Sequence, residues 1–178
     1  MQIRALTAAD AATYHALRLR MLKEHADAFT SSYEEDAQKP VSWVEKRIGS
    51  TRDSPYDFVL GAFTAAGELV GTVGLAVEPR VKQRHKARVF GMYVASEASA
   101  NGLGRALLTE CLDRARAIPG LEQVNLTVTS TNERAVRLYE AAGFLAFGVE
   151  QRAIKVGDTY YPKMHMVMYL QPIGDCHE

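Results

Sequence analysis

Apolar positions in this chain recur with two spacings, every second residue or every third and fourth, and each change of spacing marks an element boundary. Gln2 to Leu6 reads as a short strand. Thr7, with Asp10 three residues on, signals a helix start, and Tyr14, Leu17, Met21 and Leu22 give a helical face ending near His25. Ala26 to Lys39 carries the polar cluster Ser31-Ser32-Tyr33-Glu34-Glu35-Asp36 ahead of Pro40. Ser42 and Glu45 suggest a capping box for a short helix with Trp43, Val44 and Ile48 on its apolar side, running to about Gly49. Tyr56 to Thr64 and Glu68 to Val77 read as strands joined by a turn at Ala66-Gly67.

The stretch from Arg88 to Ala115 changes period most sharply. Val89, Phe90, Met92, Tyr93 and Val94 form an apolar run rich in β-formers, as expected of a strand buried on both faces. Small and polar residues from Ala95 to Asn101 make a loop. Beyond it Leu103, Ala106, Leu107, Cys111, Leu112 and Ala115 follow helical spacing, with Glu110, Asp113, Arg114 and Arg116 opposite and Pro119-Gly120 as the stop. Gln123 to Thr129 alternates Val124, Leu126 and Val128 with polar neighbours, a strand signature. Ala135, Leu138 and Ala142 make another helical stripe, ended by Gly143. Phe147 to Val156 and Tyr160 to Leu170 pair as a hairpin across Gly157-Asp158, with Met164, Met166 and Met168 alternating with His165 and Val167.

Composition narrows the class. At 178 residues the chain, 1–178, is expected to be one domain. With 47% apolar residues and no long apolar run it reads as a globular protein free of membrane spans. The start MQIRALTAAD lacks an apolar signal region, so the expected location is cytoplasmic. Two cysteines make no disulfide framework, and Cys111 on the helical stripe and Cys176 in the tail are read as reduced thiols. Twenty-one basic residues balance twenty-one acidic ones, which argues against bulk affinity for nucleic acid or membranes. No metal is expected.

Gly102 and Gly104 stand where the loop becomes the helix. Free N–H groups there, carrying roughly +0.5 charge, can hold a phosphate, and glycine lets the ligand reach them. A Walker loop needs Lys-Ser/Thr after its last glycine, and Arg105-Ala106 follows; a dinucleotide fingerprint fails at Leu107. Ser99-Ala100-Asn101-Gly102-Leu103-Gly104 instead resembles the pyrophosphate loop of the GNAT N-acetyltransferases, Gln/Arg-x-x-Gly-x-Gly/Ala, with serine at its first position. The string from Asn132 through Ala135, Leu138 and Tyr139 to Gly143-Phe144 resembles the second GNAT signature, Asn-x-x-Ala-x-x-Leu-Tyr-x-x-x-Gly-Phe.

The resemblance covers nearly the whole chain and implies an α/β (α+β) fold: a mixed, mostly antiparallel sheet of about seven strands with about four helices, splayed between its fourth and fifth strands. Acetyl-CoA would enter that opening. The residues implied to bind it are Met92, Tyr93, Val94, Ala100, Asn101, Gly102, Leu103, Gly104, Arg105, Ala106, Asn132, Ala135 and Tyr139. In this family a neutral amine attacks the thioester directly, and a backbone N–H of the fourth strand, here among Met92 to Val94, stabilises the oxyanion. Tyr139 is implied as the acid that protonates the leaving thiolate; a phenol near 10 and a thiol near 8.5 are close enough for transfer.

The base is not legible. Some members carry a glutamate where this chain has Arg88, so the candidates are Glu35 or its neighbour Glu34, His85 and Glu150, or a water chain. A lysine-like amine is neutral in about one molecule per few thousand at pH 7, an α-amine in roughly one in ten, so the latter could react without a base. Arg80, Lys82, Arg84, Lys86 and Arg88 recur every second residue and would share a face if extended, either as a solvated connection or as a surface for anions. The expected function is transfer of acetyl from acetyl-CoA to a primary amine of a small molecule or peptide by a monomer or homodimer. A non-catalytic acyl-CoA-binding domain and a protein N-terminal acetyltransferase are the alternatives.

Overall fold

The structure, a computed structural model, describes residues 1–48 and 54–171, with every side chain among them but that of Asn101. The expected helix end at Gly49 and the thiol of Cys176 lie outside the described residues. Among the described residues twelve α-helices and β-strands follow in order: β1 (Gln2–Ala5), α1 (Ala11–Glu24), α2 (Tyr33–Ala37), α3 (Val41–Ile48), β2 (Phe58–Phe63), β3 (Leu69–Val77), β4 (Lys86–Val94), α4 (Leu103–Arg116), β5 (Gln123–Thr129), α5 (Glu133–Ala142), β6 (Leu145–Val156) and β7 (Thr159–Tyr169). The strands form one sheet in the order β1-β2-β3-β4-β5-β7-β6, antiparallel throughout except for the parallel pair β4–β5.

Alternating side chains of the central strands bury against helices on both faces. A Cβ added to Gly71 of β3 would meet Leu107 of α4, which places α4 on that face. Tyr93 of β4 points the other way and donates its hydroxyl to Glu24 of α1 over 2.7 Å. Helices α1 to α3 therefore cover one face and α4 with α5 the other. The core between them holds Tyr14, Met21, Leu60, Val73, Leu75, Leu107, Leu108 and Met166.

Several local readings change in the folded chain. Five α-helices are described rather than about four, because Ser31-Ser32-Tyr33-Glu34-Glu35 closes a capping box: Ser32 Oγ accepts from Glu35 N and the Glu35 carboxylate from Ser32 N. Ser42 caps nothing. Pro40 presets the entry, Trp43 N already donates to Pro40 O, and Ser42 falls inside α3. Ser96–Asn101 is a 3-10 helix rather than a free loop. On α4, Ala106 is exposed and Leu108 takes the buried place. Val81–Gln83 is also a 3-10 turn, so the basic residues share no extended face; Lys86 and Arg88 alone lie on a strand.

The feature that positions the site is where the sheet stops being a sheet. Strands β4 and β5 pair only through Lys86, Ala87 and Arg88 opposite Gln123, Val124 and Asn125. A β-bulge follows in β4: β3 jumps from Thr72, opposite Tyr93, to Gly74, opposite Phe90, so Gly91 and Met92 together face Val73. Gly91 adopts φ +59°, a conformation that glycine takes without strain, and the bulge bends the strand away from β5. Consequently Phe90, Gly91 and Met92 are only half-buried, not enclosed on both faces as the apolar run suggests.

Candidate active site

The divergence opens a slit of about 370 Å³ through the sheet, walled by β4 from Arg88 to Met92 and by β5 from Leu126 to Thr129. On the α4/α5 face Met92, Asn132, Ala135 and Tyr139 close it; on the other, Phe29, Ser31, Arg18 and Arg47 do, with Lys163 of β7 beside them. In β4, alternate N–H and C=O groups point toward β3 and the rest toward β5. Beyond Arg88 the second set has no strand partner, so the main chain of Gly91 to Val94 offers unclaimed donors to whatever enters the slit.

Helix α4 starts beside one end of this slit. Gly102 caps it at φ +69° and no side chain accepts its first N–H groups, which are left for an anion. A Cβ on Gly104 would lie 3.5 Å from Met92 Cε and 3.7 Å from Leu138 Cδ2, so the helix start adjoins the slit through Met92. The preceding 3-10 turn is held from three sides. Arg20 of α1 grips Glu97 with two hydrogen bonds of 2.6 and 2.7 Å, Arg134 of α5 donates to Ser99 O over 2.9 Å, and Ser99 Oγ donates to Ser96 O over 2.9 Å. Arg20 also reaches Glu24, whose other oxygen accepts from Tyr93, so α1, β4 and the turn form one network. Glu97 is held at about 2 by the Arg20 guanidinium, and Glu24 is lowered by the same group.

At α5, Asn132 spends its side-chain oxygen on Ala135 N over 3.1 Å, and Gly143 ends the helix at φ +103°. Tyr139 is buried, packs edge-on against Phe144 with ring centres 5.9 Å apart, and has no hydrogen-bond partner for its hydroxyl among the described residues. Desolvation, with nearby Cys111 adding to it, pushes its pKa well above the usual phenol value, so it stays protonated at neutral pH. Burial also pushes the Cys111 thiol up to about 12, which makes it inert.

A family model described as an acetyltransferase (GNAT) domain matches residues 3–166. The chain belongs to the GNAT acetyltransferase family. It is 34% identical over 121 residues to the N-alpha-acetyltransferase RimI of Mycobacterium tuberculosis, covering 66% of this chain and 72% of that protein. To the mycothiol acetyltransferase of Salinispora tropica it is 32% identical over 105 residues, 57% of this chain. The chain spans about a third, 34%, of that relative's length. A GNAT-family acetyltransferase structure from Streptococcus pneumoniae superposes with a TM-score of 0.76 at 26% identity, over 94% of this chain and 98% of that one. The fold is shared, at 20% identity and a TM-score of 0.74, with Salmonella typhimurium yncA, solved with acetyl-CoA, over 99% of this chain and 98% of that one.

In this GNAT chain the slit gathers Met92, Asn132, Ala135 and Tyr139, and Gly104 adjoins it through Met92. Val94, Ala100, Gly102, Leu103, Arg105 and Ala106 are not among the residues that line the slit, and the side chain of Asn101 lies outside the described ones. The Tyr93 ring is turned to the α1 face, edge-on to His25, so its main chain alone can serve there. Glu35 is placed elsewhere: its carboxylate is committed to Ser32, which lowers its pKa and its worth as a base. Glu34 lines a separate cavity, the His85 carbonyl ties the β5 entry, and Glu150 lies 3.7 Å from His165. None of these lines the slit. Sequence reasoning missed Gly91, although a glycine inside an apolar strand run is a bulge signal. It also missed Arg18, Arg47 and Lys163, which sit on separate elements with no shared motif. Among the described residues no group of three His, Cys, Asp or Glu side chains could hold a metal, and no helix is long and apolar enough to cross a membrane.

Proposed function

We propose that this chain transfers an acetyl group from acetyl-CoA to a primary amine of a small molecule or peptide, by direct attack within a ternary complex. The observation that carries the reading is the slit through the sheet, flanked on one side by a helix start that no side chain caps and open to an acceptor on the other. The residues suit the co-substrate. The α4 N–H groups and the open approach at Gly102 and Gly104 would take the pyrophosphate, and the unclaimed backbone of Met92 to Val94 would pair with the pantetheine arm. Bound acetyl-CoA supplies an activated thioester.

The protein supplies position, charge stabilisation and a proton. A β4 N–H beside the bulge stabilises the negative charge that develops on the acyl oxygen. Tyr139, protonated and lining the slit, donates to the departing sulfur. With no carboxylate on the described walls, the acceptor must arrive neutral or lose its proton to water. The reading carries with it a cytoplasmic location and work as a monomer or homodimer. Thiol release from acetyl-CoA across a panel of primary amines tests it. Turnover on at least one is the expected result; cofactor binding with no thiol release on any would make this an acyl-CoA-binding domain instead.

A further inference from the structure

The two sides of the slit differ in charge. On the α4/α5 side its lining is neutral, from Met92, Asn132, Ala135 and Tyr139. On the α1–α3 side it carries Arg18, Arg47, Arg88 and Lys163, and among the described residues no carboxylate lines it. These cations are not equivalent. Arg18 is buried and its charge is met by Asp36, with Ser31 as a second partner. Arg47 donates to Tyr14 and lies over the Phe90 ring at 4.9 Å.

Arg88 and Lys163 are different. Arg88 alternates with Phe90 on the α1–α3 face, lines the slit, is exposed, and makes no hydrogen bond or ion pair with any described residue. Lys163 is 6% exposed, yet its ammonium donates to one neutral acceptor, Ala28 O at 2.5 Å, leaving two of its three N–H groups without a described partner. Burial lowers its pKa, the nearby Asp27 carboxylate offsets that only in part, and a further anion in the slit would favour the charged form.

We propose that the acceptor is a small primary amine that also carries a carboxylate, as an amino acid does, with Arg88 as the group that binds the carboxylate and Lys163 reinforcing the positive field. This rests on the acetyl-transfer reading and names its substrate class. A planar guanidinium offers paired donors that match a carboxylate, which a lysine in the same place would not. The same field repels polyamines, whose charges are all positive. It also favours the neutral form of an incoming amine, because like charge nearby disfavours the ammonium. That supplies a nucleophile in a slit whose described walls hold no base.

The test compares amino acids, their carboxamides and the matching decarboxylated amines as acceptors, by kcat/KM from thiol release. The acids should lead by about 10–100-fold, the worth of a charge-assisted hydrogen bond. Arg88→Gln should bring that ratio close to one, Arg88→Lys should keep part of it, and Arg88→Glu should turn preference toward diamines. Because Arg88 is exposed, these variants are expected to fold, and circular dichroism checks it. Equal turnover of acid and amide, or a ratio unmoved by Arg88→Gln, overturns the inference and leaves acetyl transfer standing. Calorimetry of N-acetylglycine against N-acetylglycinamide, each with CoA present, gives a readout free of turnover. Preference for the acid there, with thiol release on no amine, sinks the acetyl-transfer reading and keeps the anionic subsite.

Discussion

Replacing Tyr139 by phenylalanine removes one oxygen and keeps everything else that the residue does. The ring remains buried and keeps its edge contact with Phe144 at 5.9 Å. No described residue hydrogen-bonds the hydroxyl, so no partner is orphaned, and stability should change by less than about 1 kcal/mol. If the phenol protonates the departing sulfur, the chemical step should slow by roughly 10²–10⁴-fold, which is about 2.7–5.4 kcal/mol of transition-state stabilisation at 1.36 kcal/mol per tenfold. The KM for acetyl-CoA should move little, since the lost interaction belongs to the transition state. Rapid-quench measurement of the first turnover isolates that step from product release. An acyl donor with a more acidic thiol should recover part of the loss, because its leaving group needs the proton less. A first-turnover rate within threefold of the parent, with a natural donor, would refute the role and leave protonation to water.

Other perturbations separate cofactor binding from folding. Gly104→Val should raise the Kd for acetyl-CoA by roughly tenfold, the worth of ~1–2 kcal/mol of anion–helix interaction, while the chain stays folded, because a Cβ there meets Met92 and Leu138 at ordinary contact distances of 3.5 and 3.7 Å. Gly102→Ala should instead cost about 1–2 kcal/mol of stability in urea unfolding, since φ +69° strains any residue with a Cβ even where space is open. Asp36→Ala leaves the Arg18 guanidinium buried without its counter-charge and should destabilise by about 3–5 kcal/mol; the double change Arg18→Met, Asp36→Leu should recover much of that in the same assay. Asp10 is held at about 2 by the Arg4 guanidinium and the Thr7 N–H. Its folded pKa lies below the unfolded value near 3.9, so its contribution is present above pH 4 and is lost as pH falls toward 2. Asp10→Asn should flatten that acid limb of the stability profile; an unchanged limb would show that Arg4 and Asp10 do not act as a pair in solution.

What the chain determined by itself was local. Period two over Gln123–Thr129 and period 3.6 over Leu103–Arg116 are written in side chains a few residues apart, and the elements form where those periods hold. Gly143 ended a helix for the same reason: the chain must reverse into φ +103° there, and glycine does so without a clashing Cβ. The helix start at Gly102 was legible because phosphate approach is also a short-range demand, whereas the cap that Asn132 gives to Ala135 N was not read from the sequence. Other local patterns were misleading because competing interactions lie equally near. Ser42 lost the cap to Pro40, and the alternating basic run lost its extended form at Val81–Gln83.

Tertiary structure alone decided what stands across the slit. The glycine just past Arg88 signals a bulge, but how far β4 and β5 stay paired depends on that bulge's register against β3 and on β7 pairing the far side of β5. Arg18, Arg47, Arg88 and Lys163 come from α1, α3, β4 and β7, up to 145 positions apart, and no spacing rule joins them. Glu35 shows the converse, a carboxylate placed plausibly by sequence and then claimed by the serine three residues before it. Periodicity tells a side chain which face it occupies, and the face determines burial. Which other side chains share that face is set by strand order and helix docking, and those are properties of the whole chain.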